Sequence, residues 1–443
     1  MIAKHIIYFF YDSVPQIVGI SIIFVIIILV FYMYRTKKNC ELKTGTKKKA
    51  HGIIFGKKGN RLVYSPTDYE GSVGIFSSSG TGKTAACTIP TLQSWNGTSY
   101  VIDISSDILR NCPNMPNKLI FAPESCETVP FNIFGSIDAL ECVDDQNEAL
   151  EQLAFLLIPD TATNDNAKFF ADGGRKILTA ALIAYYHKGL DFIEIVAEEI
   201  VKKSWEELFE SIEQTKDSIA IMYLSSFSGT NSANTAGCKQ TCDDALKLFA
   251  TNAKVKKSIH RPVNENVAIQ PKMIENHNIF VVVDDPKLTL YSPLLNIITS
   301  QMMQYISNRK VNSNSNTILL CLDEYASLKL EANMILEALR KYRKRKCRVM
   351  IMTQNLADLN ILYGSDTTKA ILSNLKFKVL LGGLGETGSQ KLFSELLGYK
   401  ESTKEWKIDP SELDRQGKDI AILIASDIPD GYMKLKKNYY FKH

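Results

Sequence analysis

A chain of 443 residues, 45% hydrophobic and 23% charged, has room for two or three domains around a large buried core, which excludes wholesale disorder. Its net charge of +4 is too small for bulk charge to argue for a nucleic-acid partner. The nine cysteines are scattered without a CxxC pair, as expected of free thiols in a reducing compartment; Cys238 and Cys242 have no histidine at ligand spacing and make a poor zinc site.

The first element is apolar. Residues 17–34 (IVGISIIFVIIILVFYMY) carry no charge, and with Val14 and Pro15 added they are long enough for a helix across roughly 30 Å of hydrocarbon. Tyr32 and Tyr34 stand where interfacial aromatics sit. Lys4 is the sole lysine or arginine in the stretch before them, and no small-residue cleavage site follows, so a retained anchor is expected rather than a cleaved leader. Between Arg35 and Arg61 the basic residues are Arg35, Lys37, Lys38, Lys43, Lys47, Lys48, Lys49, Lys57, Lys58 and Arg61, with Glu41 the only acid. The positive-inside rule then leaves the N-terminus outside and the rest in the cytoplasm. The expectation is a single-pass protein of the cell inner or plasma membrane, anchored by residues 1–36.

A β-type run, residues 72–76 (SVGIF), leads into Ser77-Ser78-Ser79-Gly80-Thr81-Gly82-Lys83-Thr84, and a helix-compatible run, residues 85–89 (AACTI), follows. Strand, glycine loop and helix in this order form a Walker A phosphate loop. Backbone N–H groups from Ser79 to Ala85, through Gly80, Thr81, Gly82, Lys83 and Thr84, are expected to wrap the phosphates of ATP, because glycine permits the required backbone angles and the helix N-terminus favours negative charge. Lys83 would reach the β/γ-phosphates and the Thr84 hydroxyl would hold Mg2+. The first position of the motif is Ser77 rather than glycine, which requires a backbone angle there that serine tolerates.

Over residues 138–264 strand-like runs disappear, and apolar positions such as Leu150, Leu153, Ala154 and Leu157, or Ile177, Leu178, Ala181 and Leu182, recur at helical spacing. An all-α domain is expected here, inserted between a first part (37–137) and a second part (265–443) of one nucleotide-binding domain. Lys254, Lys256, Lys257, His260 and Arg261 close it with a basic patch, either a substrate contact or a solvated face.

The strand pattern then resumes. Residues 317–322 (TILLCL) are continuously apolar, as a strand buried on both faces requires, and end in Asp323-Glu324. Acids at that end sit where ligands bind in open α/β sheets. Asp323 is expected in the Mg2+ shell and Glu324 beside the attacking water. Residues 348–353 (RVMIMT) end in Gln354, a candidate sensor of the γ-phosphate, and residues 100–102 end in Asp103. Residues 280–283, 376–381 and 420–424 complete an expected parallel sheet, with helices at 333–342 and 389–397. The fold class is α/β, a RecA-like P-loop NTPase. The basic run 336–348 (LEALRKYRKRKCR) is open to three readings: an arginine finger, a strip facing DNA phosphates, or a solvated face.

Further motifs follow in a fixed order: Thr88-Ile89-Pro90-Thr91-Leu92 after the phosphate loop; Trp95-Asn96-Gly97-Thr98 before the strand ending in Asp103; Phe131-Asn132; Phe169-Phe170-Ala171-Asp172-Gly173-Gly174-Arg175-Lys176-Ile177-Leu178; Asp323-Glu324-Tyr325-Ala326-Ser327-Leu328; Gln354-Asn355-Leu356; Leu362-Tyr363-Gly364; and Leu396-Leu397-Gly398. Over about residues 50–440 this series resembles the TraG/TraD coupling proteins of conjugation and type IV secretion. The resemblance implies an ATPase ring, a homo-hexamer with ATP at subunit interfaces and a central DNA channel. It also implies single-stranded DNA with its relaxase, or a protein, as cargo, and type IV secretion channel proteins as partners. A finger acting in trans would be Arg343. Two departures stand out: one membrane span where many members have two, and Ile104-Ser105-Ser106-Asp107 where the family often has PKGE. The alternatives are a nucleotide-binding docking receptor with little hydrolysis and an FtsK/HerA-like DNA translocase without a secretion channel.

Overall fold

The structure, a computed structural model, describes residues 43–45, 52–65, 71–160, 164–263, 267–385 and 387–442. The expected anchor lies outside them. Among the described residues no helix is long and apolar enough to cross a membrane.

The described strands, in chain order, are β1 Lys43–Gly45, β2 Ile54–Lys58, β3 Arg61–Tyr64, β4 Val73–Phe76, β5 Thr98–Asp103, β6 Lys118–Phe121, β7 Asn278–Val282, β8 Ile318–Leu322, β9 Cys347–Thr353, β10 Phe377–Leu380, β11 Ile420–Ile424 and β12 Tyr432–Lys436. They form one sheet in the order β1-β3-β2-β12-β11-β10-β4-β9-β8-β5-β7-β6. From β10 to β6 every neighbouring pair is parallel. Strands β4, β5, β7, β8 and β9 are buried along their whole length, which is why they read as unbroken apolar runs rather than alternating ones.

Strand β11 departs from the all-parallel expectation. It pairs antiparallel with β10, Leu380 opposite Ile422. Helix Thr387–Leu397 carries the chain away from the end of β10, and residues 398–419 bring it back, so β11 starts at the edge where β10 stopped. An apolar run such as 420–424 has no intrinsic sense; the number of sheet crossings between strands sets it. Strand β12 is antiparallel to β11, so it runs in the sense of β4 and comes out at the same edge.

Between β6 and β7 the regular elements are helical. They include Val143–Leu157, Asp165–Tyr186, Trp205–Glu213, Ser218–Ser225 and Ser232–Thr251. Asn164 caps the second by accepting from the Ala167 N–H, and Ser204 with Glu207 forms a capping box on the third. Helices Asp165–Tyr186 and Ser232–Thr251 approach closely at Gly173 and Gly174. A Cβ on Gly173 would lie 2.2 Å from Cys238 Sγ, and one on Gly174 would lie 2.9 Å from the Cys238 carbonyl. The buried Cys238 and Cys242 therefore serve as small packing groups in this contact. The helical core runs on into the sheet's core, with Phe134 edge-on to Tyr186 and Phe192.

Candidate nucleotide site

Strand β4 delivers the glycine loop to the C-terminal edge of the parallel strands, and helix formation resumes at Thr84. Gly80 and Gly82 adopt φ of +74° and +99°, the left-handed region that a side chain would strain. A Cβ on Gly80 would meet nothing within 4 Å, so this part of the loop is open; a Cβ on Gly82 would lie 2.9 Å from the Tyr439 ring. Ser77 is absent from the positive-φ residues, so serine fits at the first motif position. The Thr81 hydroxyl lies 2.6 Å from Ser77 Oγ and 2.7 Å from the Ser78 carbonyl, bracing the loop from inside. Lys83, only 9% exposed, donates to the Ser77 carbonyl at 3.1 Å.

The helix after the loop begins as a π turn, Thr84–Thr88, and continues as Ile89–Ser94. In that turn the Ile89 N–H bonds the Thr84 carbonyl. The next carbonyl, Ala85, would look to residue 90, and Pro90 has no N–H. The Tyr440 N–H donates to the Ala85 carbonyl instead, at 3.0 Å.

Two strands from β4, β8 ends in Asp323, which is 4% exposed. Burial pushes its carboxyl up to about 7, against the pull of Lys83. Burial likewise raises Glu324, again opposed by Lys83. Glu324 takes φ +47°, ψ +51°, a left-handed conformation costing about 1 kcal/mol or more for a glutamate. At the tip of β9, which lies between β4 and β8, Gln354 Nε2 donates to Glu324 Oε2 at 3.3 Å. The Ser77 N–H bonds the Thr353 carbonyl at 3.3 Å, tying the phosphate loop to the same tip. Lys83, Asp323, Glu324 and Gln354 thus converge on one edge. An oxygen donor set of one carboxylate and one hydroxyl, Asp323 and Thr84, suits Mg2+ that shares its remaining ligands with phosphate and water.

Asp103, at the end of β5, is buried and accepts the Leu109 N–H at 2.8 Å and the Ser105 N–H at 3.3 Å. It holds the turn into helix Asp107–Asn111, and burial raises its carboxyl. Arg343 lies elsewhere. It sits in the turn Tyr342–Arg345 before β9, whereas Gln354 follows β9; a seven-residue strand puts the two ends about 23 Å apart. Arg343 is therefore at the opposite edge of the sheet from the phosphate loop.

Sequence reasoning did not reach the segment after β12. Lys437, 5% exposed, donates to the Thr81 carbonyl at 2.8 Å and to the Leu381 carbonyl at 2.7 Å. Nor did it reach Gly383, φ +64°, where a Cβ would lie 2.2 Å from Ser78 Oγ. The signal for Gly383 was a glycine-rich turn directly after a strand; for Lys437 there was none.

A family model described as "Type IV secretory system Conjugative DNA transfer" matches residues 32–412. No curated protein sequence matches the chain significantly. Among solved structures, the bacterial conjugative coupling protein TrwBdeltaN70, in an unbound monoclinic form, superposes with TM-score 0.69 at 17% identity, covering 88% of this chain and 89% of that one. Plasmid coupling protein TrwB in complex with the non-hydrolysable ATP analogue ADPNP gives TM-score 0.70 at 18% identity over 88% and 90%. VirB4 of Thermoanaerobacter pseudethanolicus gives 0.54 at 14% over 88% and 96%. At these identities the structural likenesses establish the shared RecA-like α/β fold.

Proposed function

Because the chain belongs to the type IV secretory system conjugative DNA transfer family, we propose that it is a membrane-anchored coupling ATPase, which uses ATP hydrolysis to feed single-stranded DNA with its relaxase into a secretion channel. The observation that carries the ATPase reading is the convergence of Lys83, Asp323, Glu324 and Gln354 at one edge of the sheet. TrwB has been captured with ADP and Mg2+, which supports the same ligands here.

In this reading the N–H groups from Ser79 to Ala85 bind the phosphates, and Lys83 leaves the Ser77 carbonyl to meet the β/γ oxygens. Thr84 and Asp323 would hold Mg2+, which supplies neutralisation of phosphate charge. Glu324 orients the attacking water and takes its proton; its raised affinity for protons suits that role. Gln354 fixes the Glu324 carboxylate and reports the γ-phosphate along β9. The helices between β6 and β7 form the inserted all-α domain. Residues 17–34 anchor the chain in the inner or plasma membrane, and a homo-hexamer surrounds the DNA. Arg343, at the far edge of its own sheet, would act only on a neighbouring subunit's nucleotide.

The test is ATP turnover by the full chain in lipid, with and without single-stranded DNA, beside Lys83→Ala and Glu324→Gln. Turnover that rises with DNA and disappears in both variants is expected. Nucleotide binding without DNA-stimulated turnover would overturn the motor and leave a docking receptor.

A further inference from the structure

We propose that the segment after β12 completes the nucleotide site, with Phe441 as the platform on which the purine base stacks. This rests on the ATP-binding reading of the phosphate loop and adds to it the part of the ligand that the loop does not touch.

The direction of the nucleotide follows from the strand order. Asp323 and Glu324 follow β8, on one side of β4; β10, β11 and β12 lie on the other. A triphosphate whose γ end points to the acids must point its base toward the β10–β12 side. Strand β12 emerges at the same edge as the phosphate loop, and the residues after it cross back over the loop's flank. Lys437 bridges Thr81 and Leu381, the Tyr440 N–H caps the Ala85 carbonyl, and Tyr439 lies on Gly82. Ala85 is the next residue after the Lys83-Thr84 pair that serves the β/γ-phosphates and the metal. The segment is therefore fastened beside the end of the loop from which the ribose departs.

Its aromatic rings are arranged for a fourth. Phe441 is stacked on Tyr439, centroids 5.4 Å apart at 29°, and meets Tyr440 edge-on at 5.2 Å and 85°. It nonetheless remains 59% exposed. A phenylalanine oriented by two ring neighbours yet left open to water offers a flat apolar surface, and a base is the flat group that the adjoining site brings.

The experiment measures binding of ATP and of inorganic tripolyphosphate, each with Mg2+, to the full chain by calorimetry. Tripolyphosphate engages the loop but has no base. Phe441→Ala is expected to weaken ATP about tenfold and to leave tripolyphosphate unchanged, and Phe441→Trp to bind ATP as well as the wild type does. Unchanged ATP binding by Phe441→Ala overturns the platform, as does equal weakening of both ligands. Wild-type protein that binds neither ligand would remove the ATP-binding reading itself, an outcome that no Phe441 variant mimics.

Discussion

Gln354 Nε2 donates to Glu324 Oε2 at 3.3 Å, joining the tips of neighbouring strands β9 and β8 beside the phosphate loop. Replacing Gln354 with alanine frees the Glu324 carboxylate; replacing Glu324 with glutamine keeps the shape and removes the base. Both variants should bind ATP normally, and Glu324→Gln should lose about 100-fold or more in turnover. Single-turnover kinetics beside equilibrium binding checks this; a loss of binding equal to the loss of turnover would place these residues in ground-state recognition instead.

Lys437→Met should weaken ATP and tripolyphosphate together. It removes donors from the Thr81 and Leu381 carbonyls, and unsatisfied buried acceptors cost about 1–3 kcal/mol. The same calorimetry separates this loop-bracing effect from the base-selective effect expected at Phe441.

Lys378 gives a pH dependence. It lies on β10, donates to the Leu375 carbonyl at 2.7 Å, and burial lowers its ammonium to about 8. Between the folded value of about 8 and the unfolded value near 10.4 the unfolded chain binds the extra proton, so stability rises with pH through this window, and on acidification the loss is complete once pH has fallen to about 8. Lys378→Met should therefore be more stable than the wild type at pH 7, by about 1–3 kcal/mol. The advantage should vanish above about pH 10. Urea unfolding at the two pH values decides it.

Arg309 is the hub under the turn that carries Arg343. It pairs with Glu275 at 2.7 and 2.6 Å and donates to the Arg345 and Asn316 carbonyls at 2.7 and 2.8 Å, while Arg345 donates to the Arg309 carbonyl at 2.8 Å. With its side chain 2% exposed, Arg309→Ala should cost about 3–5 kcal/mol in urea unfolding, because Glu275 keeps a half-buried charge without its partner. Arg309→Lys should not restore the loss, since lysine lacks the planar fork that serves several acceptors at once.

The residues alone were enough to locate the strand, loop and helix at 72–89, the strands ending in Asp323 and Gln354, and the helical run between β6 and β7. Each is a local pattern: glycines where φ must be positive, apolar runs where both faces are buried, helical spacing where one face is. The family resemblance was carried by the same short motifs.

Only the tertiary structure decided how these pieces face one another. It made β11 antiparallel, set Arg343 at the far edge of its own sheet, assigned Asp103 to a turn, and brought residues 437–441 onto a loop more than 350 positions earlier in the chain. Strand sense depends on how often the chain crosses the sheet. The grip of Lys437 depends on the backbone carbonyls of Thr81 and Leu381, a group every residue possesses, so no side-chain pattern announces it. What a residue is made of was legible in the sequence; which backbone it would meet was not, because that depends on the path of the whole chain.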